Sequence, residues 1–448
     1  MKERTIKVIK TGTIKAVEAS YHDTSSTYQG NPLIEALREE PDLKDLRKHL
    51  AFRPKYNPAV DADAPDRKRR EMIEALSFFF EPLPRHVDLV NGIFSMIRKG
   101  YAPRNPAWGD PTAESPEGSL ESAGLFGPSG TGKTKSVRQI LRLIPQVIHH
   151  SNYRGSVVDE TQVTWLRVEC PATPRALCAS ILEKTDDILG TNYDDTYGGT
   201  RSTTSDMMPG VHRLVRNHSL GVLVIDEIQN LFTTKNRSNE ELESFIVHIV
   251  NDWGVPVLLV GTSENFDVIS QNFRIRRRLT GLPQPQWGRL DQNDPEWTLL
   301  TNALLKYRYV KKDIAVDKLR PLLFDLTQGI PDLLRKLFTL ALLHAINEKI
   351  EEITPEVLQA VMKKSLYQND SYLDRLRRGL KPSGDYQTVE PAQQLFQGMP
   401  APAEKPTKPK RQQSNPNKQI PLELLGKEST HEAAKDAGMV FQEDEVPH

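Results

Sequence analysis

Four groups of residues have the types and spacing for chemistry on a polyphosphate. The first is GPSGTGKT, residues 127–134, which satisfies GxxxxGK[ST]. In Gly127, Pro128, Ser129, Gly130, Thr131 and Gly132 the glycines let successive backbone N–H groups turn inward around phosphate oxygens. Lys133 supplies a cation for the β/γ-phosphates and Thr134 a hydroxyl ligand for Mg²⁺. The run that follows, KTKSVRQILRLI, has helical periodicity and points the positive end of its dipole at the anion. The implied cofactors are ATP and Mg²⁺.

The second group is LGVLVIDEIQNL, a buried strand ending in two acids. Asp226 is placed to hold Mg²⁺ through water, and Glu227 to polarise the attacking water as a general base. Two acids after an apolar strand also serve as helix N-terminal charges; their place about 90 residues after a P-loop favours the catalytic reading. The third is VPVLLVGTSENF, where a strand ends in Thr262 and Ser263, one of which can touch the γ-phosphate or orient the water. Ordinary turn hydroxyls are the alternative. The fourth is FRIRRRLTG, with Arg274, Arg276, Arg277 and Arg278. One guanidinium, with Arg277 and Arg278 the choices, can complete a neighbouring subunit's site as an arginine finger. The others are left to bind acids or nucleic acid, or to face solvent. Arg335, in GIPDLLRK, can reach the nucleotide from a helical lid, or lie on the surface.

These residues need elements to hold them. Residues 122–290 alternate strand-like and helix-like runs, the pattern of an α/β unit with a mainly parallel sheet. The strands are expected at 123–126, 164–168, 220–225 and 255–260, apolar without strict alternation because both faces are covered. A small all-helical lid follows over residues 291–380, with Thr354 and Pro355 as N-cap and first residue of one helix. Residues 67–121 hold two helices separated by Pro82 and Pro84, then a Pro- and Gly-rich linker. Residues 1–66 form a polar N-terminal extension with at most an edge strand and short helices at 33–37 and 43–50. Residues 381–448, rich in Pro, Lys and Gln, read as a mostly disordered tail with a possible partner-binding segment.

Composition sets the outer limits. Lys+Arg and Asp+Glu are both 59 in a 448-residue chain, which argues against a generally basic nucleic-acid coat protein but permits a local basic surface. Cys170 and Cys178 have neither zinc nor CxxC spacing and read as small half-buried thiols. With no run of about 18 apolar residues and no signal-peptide h-region, the chain reads as cytoplasmic.

In this order, the P-loop, the DE-ending strand, the polar-ending strand, the arginine cluster and the helical lid resemble the AAA+ ATPases over roughly residues 122–366. YQGNPLIEAL, RKGYAPRNP and WLRVECPATPRALCASILEKTDDILGTNY narrow the resemblance to the TnsC/TniB-type regulators of bacterial DNA transposition. The resemblance implies an ATPase that assembles head-to-tail on double-stranded DNA as a ring or helical filament. It would link a target-selection protein to transposase subunits, with hydrolysis driving disassembly, in a bacterial, DNA-associated setting. The motifs match at residues 127–134, Asp226 and Glu227, and by region alone at the arginines. The alternatives are another AAA+ DNA-remodelling or replication-loader ATPase, or a nucleotide-stabilised scaffold with little turnover. For DNA contact the Gly- and Thr-rich stretch 193–206 is read as a pore-facing loop, with Thr200, Arg201 and Thr203 as candidates. The runs at 67–70 and around Arg375, Arg377, Arg378 and Lys381 are further basic candidates, or simply solvated charge.

Overall fold

The structure, a computed structural model, describes residues 8–11, 14–106, 108, 120–199, 201–232, 249, 253–263, 279, 281–282 and 286–379. The chain divides into two compact units, Met1–Leu395 and Phe396–His448, and every described residue belongs to the first. The arginines at 274, 276, 277 and 278, Thr200 and the C-terminal tail lie outside the described residues.

Among the described residues the centre is a four-stranded parallel sheet of β3 (Ala123–Phe126), β6 (Trp165–Glu169), β7 (Val222–Asp226) and β8 (Val257–Gly261), in the order β3-β8-β7-β6. Each strand falls within two residues of the position its apolar run predicts. The side-chain period of two explains why these runs are apolar throughout. Val222, Val224, Leu258 and Val260 face one hydrophobic cluster, while Leu223, Ile225, Val257 and Leu259 face another. On one face lie α4 (Pro84–Tyr101) and α5 (Lys133–Leu141). On the other lie α6 (Pro174–Leu189) and α8 (Thr204–Asn217). A bridge between Phe126 and Gln286 extends pairing beyond β3.

A second sheet runs β1-β2-β4-β5, from β1 (Val8–Thr11), β2 (Ile14–Glu18), β4 (Val147–Tyr153) and β5 (Ser156–Val163). The β4–β5 hairpin was not foreseen, and the extension contributes a hairpin rather than a single edge strand. Its short helices α1 (Pro32–Glu35) and α2 (Leu43–His49) form where short helices are expected. Buried Glu35 takes hydrogen bonds from Gly30 N at 2.7 Å and Tyr153 Oη at 2.9 Å, which fastens the YQGNPLIEAL stretch to β4.

After a single-turn α9 (Gln229–Phe232) behind β7, the helical part comprises α10 (Pro295–Leu304), α11 (Val316–Thr327), α12 (Pro331–Asn347), α13 (Pro355–Ser365) and α14 (Asp370–Arg377). Thr354 caps α13, accepting from Val357 N, with Pro355 in the first turn. Helix α12 is apolar nearly all round because the others surround it.

The two N-terminal helices part company. Ile73 and Leu76, from α3 (Asp66–Glu74) and the turn after it, pack in the helical core with Phe79, whereas Phe80 and α4 pack against the sheet. Two expectations are corrected here. The run at 67–70 is not uniformly solvated charge: Arg67 and Lys68 are exposed, but Arg69 is 2% exposed and bonds both Glu351 carboxylate oxygens, at 2.6 and 2.7 Å. Residues 193–206 are not one loop: α7 (Tyr193–Tyr197) and the start of α8 occupy both ends. The Asp186 carboxylate draws in Tyr193 N and Asp194 N, and Thr203 and Asp206 make a capping box. No described helix is long and apolar enough to cross a membrane.

Candidate nucleotide-binding site

The C-terminal ends of β3, β7 and β8 open into one cleft of about 1030 Å³. It is lined by Ser129–Thr134, Asp226, Glu227, Thr262 and Arg335, among others. Open α/β sheets bind ligands at this edge.

The loop turns because Gly130 and Gly132 sit at φ +77° and +91°, the left-handed region that glycine enters without penalty. Gly127 is needed for a different reason: a Cβ there would lie 2.0 Å from the Trp287 carbonyl oxygen. Trp287 grips the loop further. Its backbone N donates to Phe126 O at 2.6 Å and its indole Nε1 to Thr131 O at 2.9 Å. Lys133, 9% exposed, donates to the carbonyls of Gly127 and Pro128 at 2.8 and 2.9 Å, so its ammonium stays inside the loop.

Thr134 Oγ1 donates to Asp226 Oδ1 at 2.9 Å and lies 3.4 Å from Glu227 Oε1. Asp226 is fully buried at the end of β7. Glu227 leaves the strand at φ +57°, uncommon for a residue with a side chain and a mark of functional strain. Its N–H donates to Asp226 Oδ1 at 3.1 Å, and its Oε2 accepts from Gln229 Nε2. Thr262, largely buried, follows β8 on the same edge, and Ser263 is exposed. Arg335 reaches the cleft from α12. Its Nη2 donates to Asp332 Oδ1 at 2.9 Å, and its buried Nη1 makes no hydrogen bond. Asp332 N donates to Gly130 O at 3.2 Å, joining the helical part to the loop. Burial raises the Asp332 carboxyl, but Lys336 and Arg335 outweigh it and hold its pKa below the ordinary value.

The oxygen donors fit Mg²⁺. Thr134 Oγ1 and the two carboxylates are hard ligands, and Asp226 Oδ2 is a buried oxygen without a hydrogen bond. Among the described residues no group of three His, Cys, Asp or Glu side chains could hold a metal alone. Phosphate oxygens would have to complete the shell, the usual arrangement for Mg²⁺.

Sequence reasoning missed His86, Trp287 and Arg167. His86, buried in the first turn of α4, accepts from Leu83 N through Nδ1 at 2.8 Å and meets Ser136 Oγ through Nε2 at 3.0 Å. Burial pushes its pKa down to about 4, so it is a neutral strut beneath α5. No local pattern marks these three; each acts through a partner distant in sequence. Arg201 is exposed and Thr203 is occupied as a helix cap, both away from the cleft lining. Burial pushes the Cys170 and Cys178 thiols up to about 12, as for inert core thiols.

Residues 121–269 match the family described as AAA domain. The fold is that of an AAA+ P-loop domain. No curated protein matches the chain. Among solved structures it is similar to the Aeropyrum pernix ORC1 protein in complex with DNA, at 17% identity and TM-score 0.41, covering 64% of this chain and 67% of that one. It is similar also to the Drosophila ORC bound to DNA, at 12% identity and TM-score 0.41, over 75% and 81% of the two chains. A third similarity is to the Thermotoga maritima RuvB Holliday junction branch migration motor, at 17% identity and TM-score 0.31, over 55% and 62%.

Proposed function

We propose that the protein is an ATPase of the AAA+ type that works on double-stranded DNA, and more narrowly a TnsC/TniB-type regulator of transposition. The observation that carries the ATPase reading is the convergence of Thr134, Asp226 and Glu227 at the mouth of the P-loop. Backbone N–H groups of residues 129–134 and the Lys133 ammonium bind and orient the phosphates. Glu227 takes the proton of the attacking water, and Gln229 fixes its carboxylate until then. Bound Mg²⁺, held by Thr134 and Asp226, would neutralise charge developing on the phosphates. Arg335 would add positive charge from the helical side, and an arginine of the 274–278 cluster would do so from a neighbouring subunit.

The transposition reading is supported by the sequence resemblance in YQGNPLIEAL and in residues 165–193. On this reading the ATP-bound protein assembles on duplex DNA and connects a target-selection protein to transposase subunits in the bacterial cytoplasm. A replication-loader type of DNA-associated ATPase is the second reading, and Thr134, Asp226 and Glu227 fit it equally well.

Two measurements test these statements. Lys133→Ala should abolish nucleotide binding, and Glu227→Gln should retain binding while turnover falls by about 10²-fold or more. A Glu227→Gln protein that hydrolyses ATP at the wild-type rate ends the assignment of Glu227 as general base, and a wild-type protein without ATP turnover ends the ATPase assignment. Electron microscopy with duplex DNA and a non-hydrolysable analogue should show rings or filaments on the DNA. Nucleotide-bound monomers that ignore DNA would overturn the assembly reading.

A further inference from the structure

Asp226 has a neighbour to which the nucleotide chemistry assigns no task. Its Oδ1 accepts from Thr134 Oγ1 and from Glu227 N, but its Oδ2 makes no hydrogen bond. Facing that oxygen, at 3.4 Å, is Nη2 of Arg167 on β6. The parallel register sets this up: Arg167 lies beside Val224 and Glu169 beside Asp226, so Arg167 is one pleat behind on the same face. The same Nη2 is 3.2 Å from Glu169 Oε1, which also takes Arg138 Nη2 at 2.8 Å. Arg167 Nε is buried without a hydrogen bond. The guanidinium is therefore held at the carboxylate although it cannot satisfy all its donors there.

We infer that Arg167 is a positioning residue that makes metal binding at Asp226 depend on nucleotide. The inference rests on reading the cleft as a Mg²⁺–nucleotide site. A fully buried carboxylate needs a compensating charge, and without nucleotide Arg167 supplies it. A bare divalent ion arriving at Thr134 and Asp226 meets that charge. At a separation of roughly 6 Å, even a water-like dielectric makes the repulsion worth about tenfold in affinity. The several negative charges of a nucleoside triphosphate reverse the balance. The ion then enters with its nucleotide, and Asp226 stays paired when the cleft empties. Glu169, anchored in turn by Arg138, keeps the guanidinium in place as the field at Asp226 changes sign.

The test measures Mn²⁺ binding to the full chain without nucleotide, by the electron paramagnetic resonance signal of free Mn²⁺. Arg167→Met should bind Mn²⁺ at least about tenfold more tightly than wild type. Arg167→Lys, which keeps the charge, should remain close to wild type. Adding Asp226→Asn to Arg167→Met should erase the gain. A methionine variant no tighter than wild type, or a gain that survives in the double variant, overturns the inference. Arg167→Gln carries the same expectation should the methionine variant fail to fold. Binding of Mg²⁺–ATP to wild type is measured alongside. Its failure would count against the nucleotide reading, whereas the Mn²⁺ comparison reads Arg167 directly.

Discussion

At the residue scale the site depends on side chains that hold its loop and helix through other protein groups. His86 holds α5 from below and its ring packs edge-on to Trp287 at 5.4 Å, while Trp287 grips the loop carbonyl of Thr131. Neutral His86 gives that arrangement a pH limit. Its pKa is lowered from 6.5 to about 4 by burial, so the unfolded chain binds a proton where the folded one does not. The sign follows: the contribution is complete above about pH 6.5 and is lost as pH falls towards 4. The amount is of the order of 3 kcal/mol over that window. Chemical denaturation at several pH values should show wild-type stability falling between pH 6.5 and 4. His86→Gln, which can still bond Leu83 N and Ser136 but cannot titrate, should have a shallower slope. Equal slopes would exclude His86 as the source.

At the scale of elements, α3 belongs with the lid through the packing of Ile73 and through the buried Arg69. Arg69 bonds Glu351, Asp66 and the Tyr309 carbonyl, and Lys349 also reaches Asp66. Arg69→Met should lower the unfolding temperature, since the Glu351 carboxylate loses its main partner. Lys349 and then Arg69 lower the Asp66 pKa from 3.8 to about 2, and Arg69 foremost lowers that of Glu351. Stability from these carboxylates is present above pH 4 and is lost towards pH 2, and that acid limb should flatten in Arg69→Met. A variant with the wild-type acid limb would remove the pair from the account. The same elements show what was legible beforehand. Central strands announce themselves because both faces are buried, so Leu223 and Val224 are apolar for opposite reasons. The loop 127–134 and the acids after β7 are local patterns, legible for the same reason. The β4–β5 hairpin hides because its sequence, HHSNYRGSVVDETQV, is polar, and its pairing comes from Gly155 at φ +88° and from the N-terminal strand β2, distant in sequence. Arg69 was misread because its partner lies 282 residues away.

At the scale of the whole molecule, equal counts of acids and bases leave no general attraction to DNA. On the proposed reading, affinity must come from assembly, and assembly from nucleotide. The cleft shows where a nucleotide would act. One wall is the sheet with its P-loop, and the other is the helical part with Pro331, Asp332 and Arg335. Polar contacts that join the walls include Asp332 N to Gly130 O, Arg85 to both Glu296 carboxylate oxygens, with its N–H at 2.7 Å from Oε1, and Lys135 Nζ to Phe79 O at 2.9 Å. A polyphosphate binding both walls should therefore raise the unfolding temperature by coupling them, with about 2.7 kcal/mol available at one hundred times the dissociation constant. Arg335→Gln should reduce this nucleotide-dependent stabilisation. It should alter the nucleotide-free protein little, because Lys336 Nζ still pairs with Asp332 at 2.9 Å. Thermal unfolding of both proteins, with and without a non-hydrolysable ATP analogue, checks the point. An undiminished shift in Arg335→Gln would mean that the nucleotide stabilises the P-loop side alone, and ATP-driven assembly would then need another route than closure of the lid.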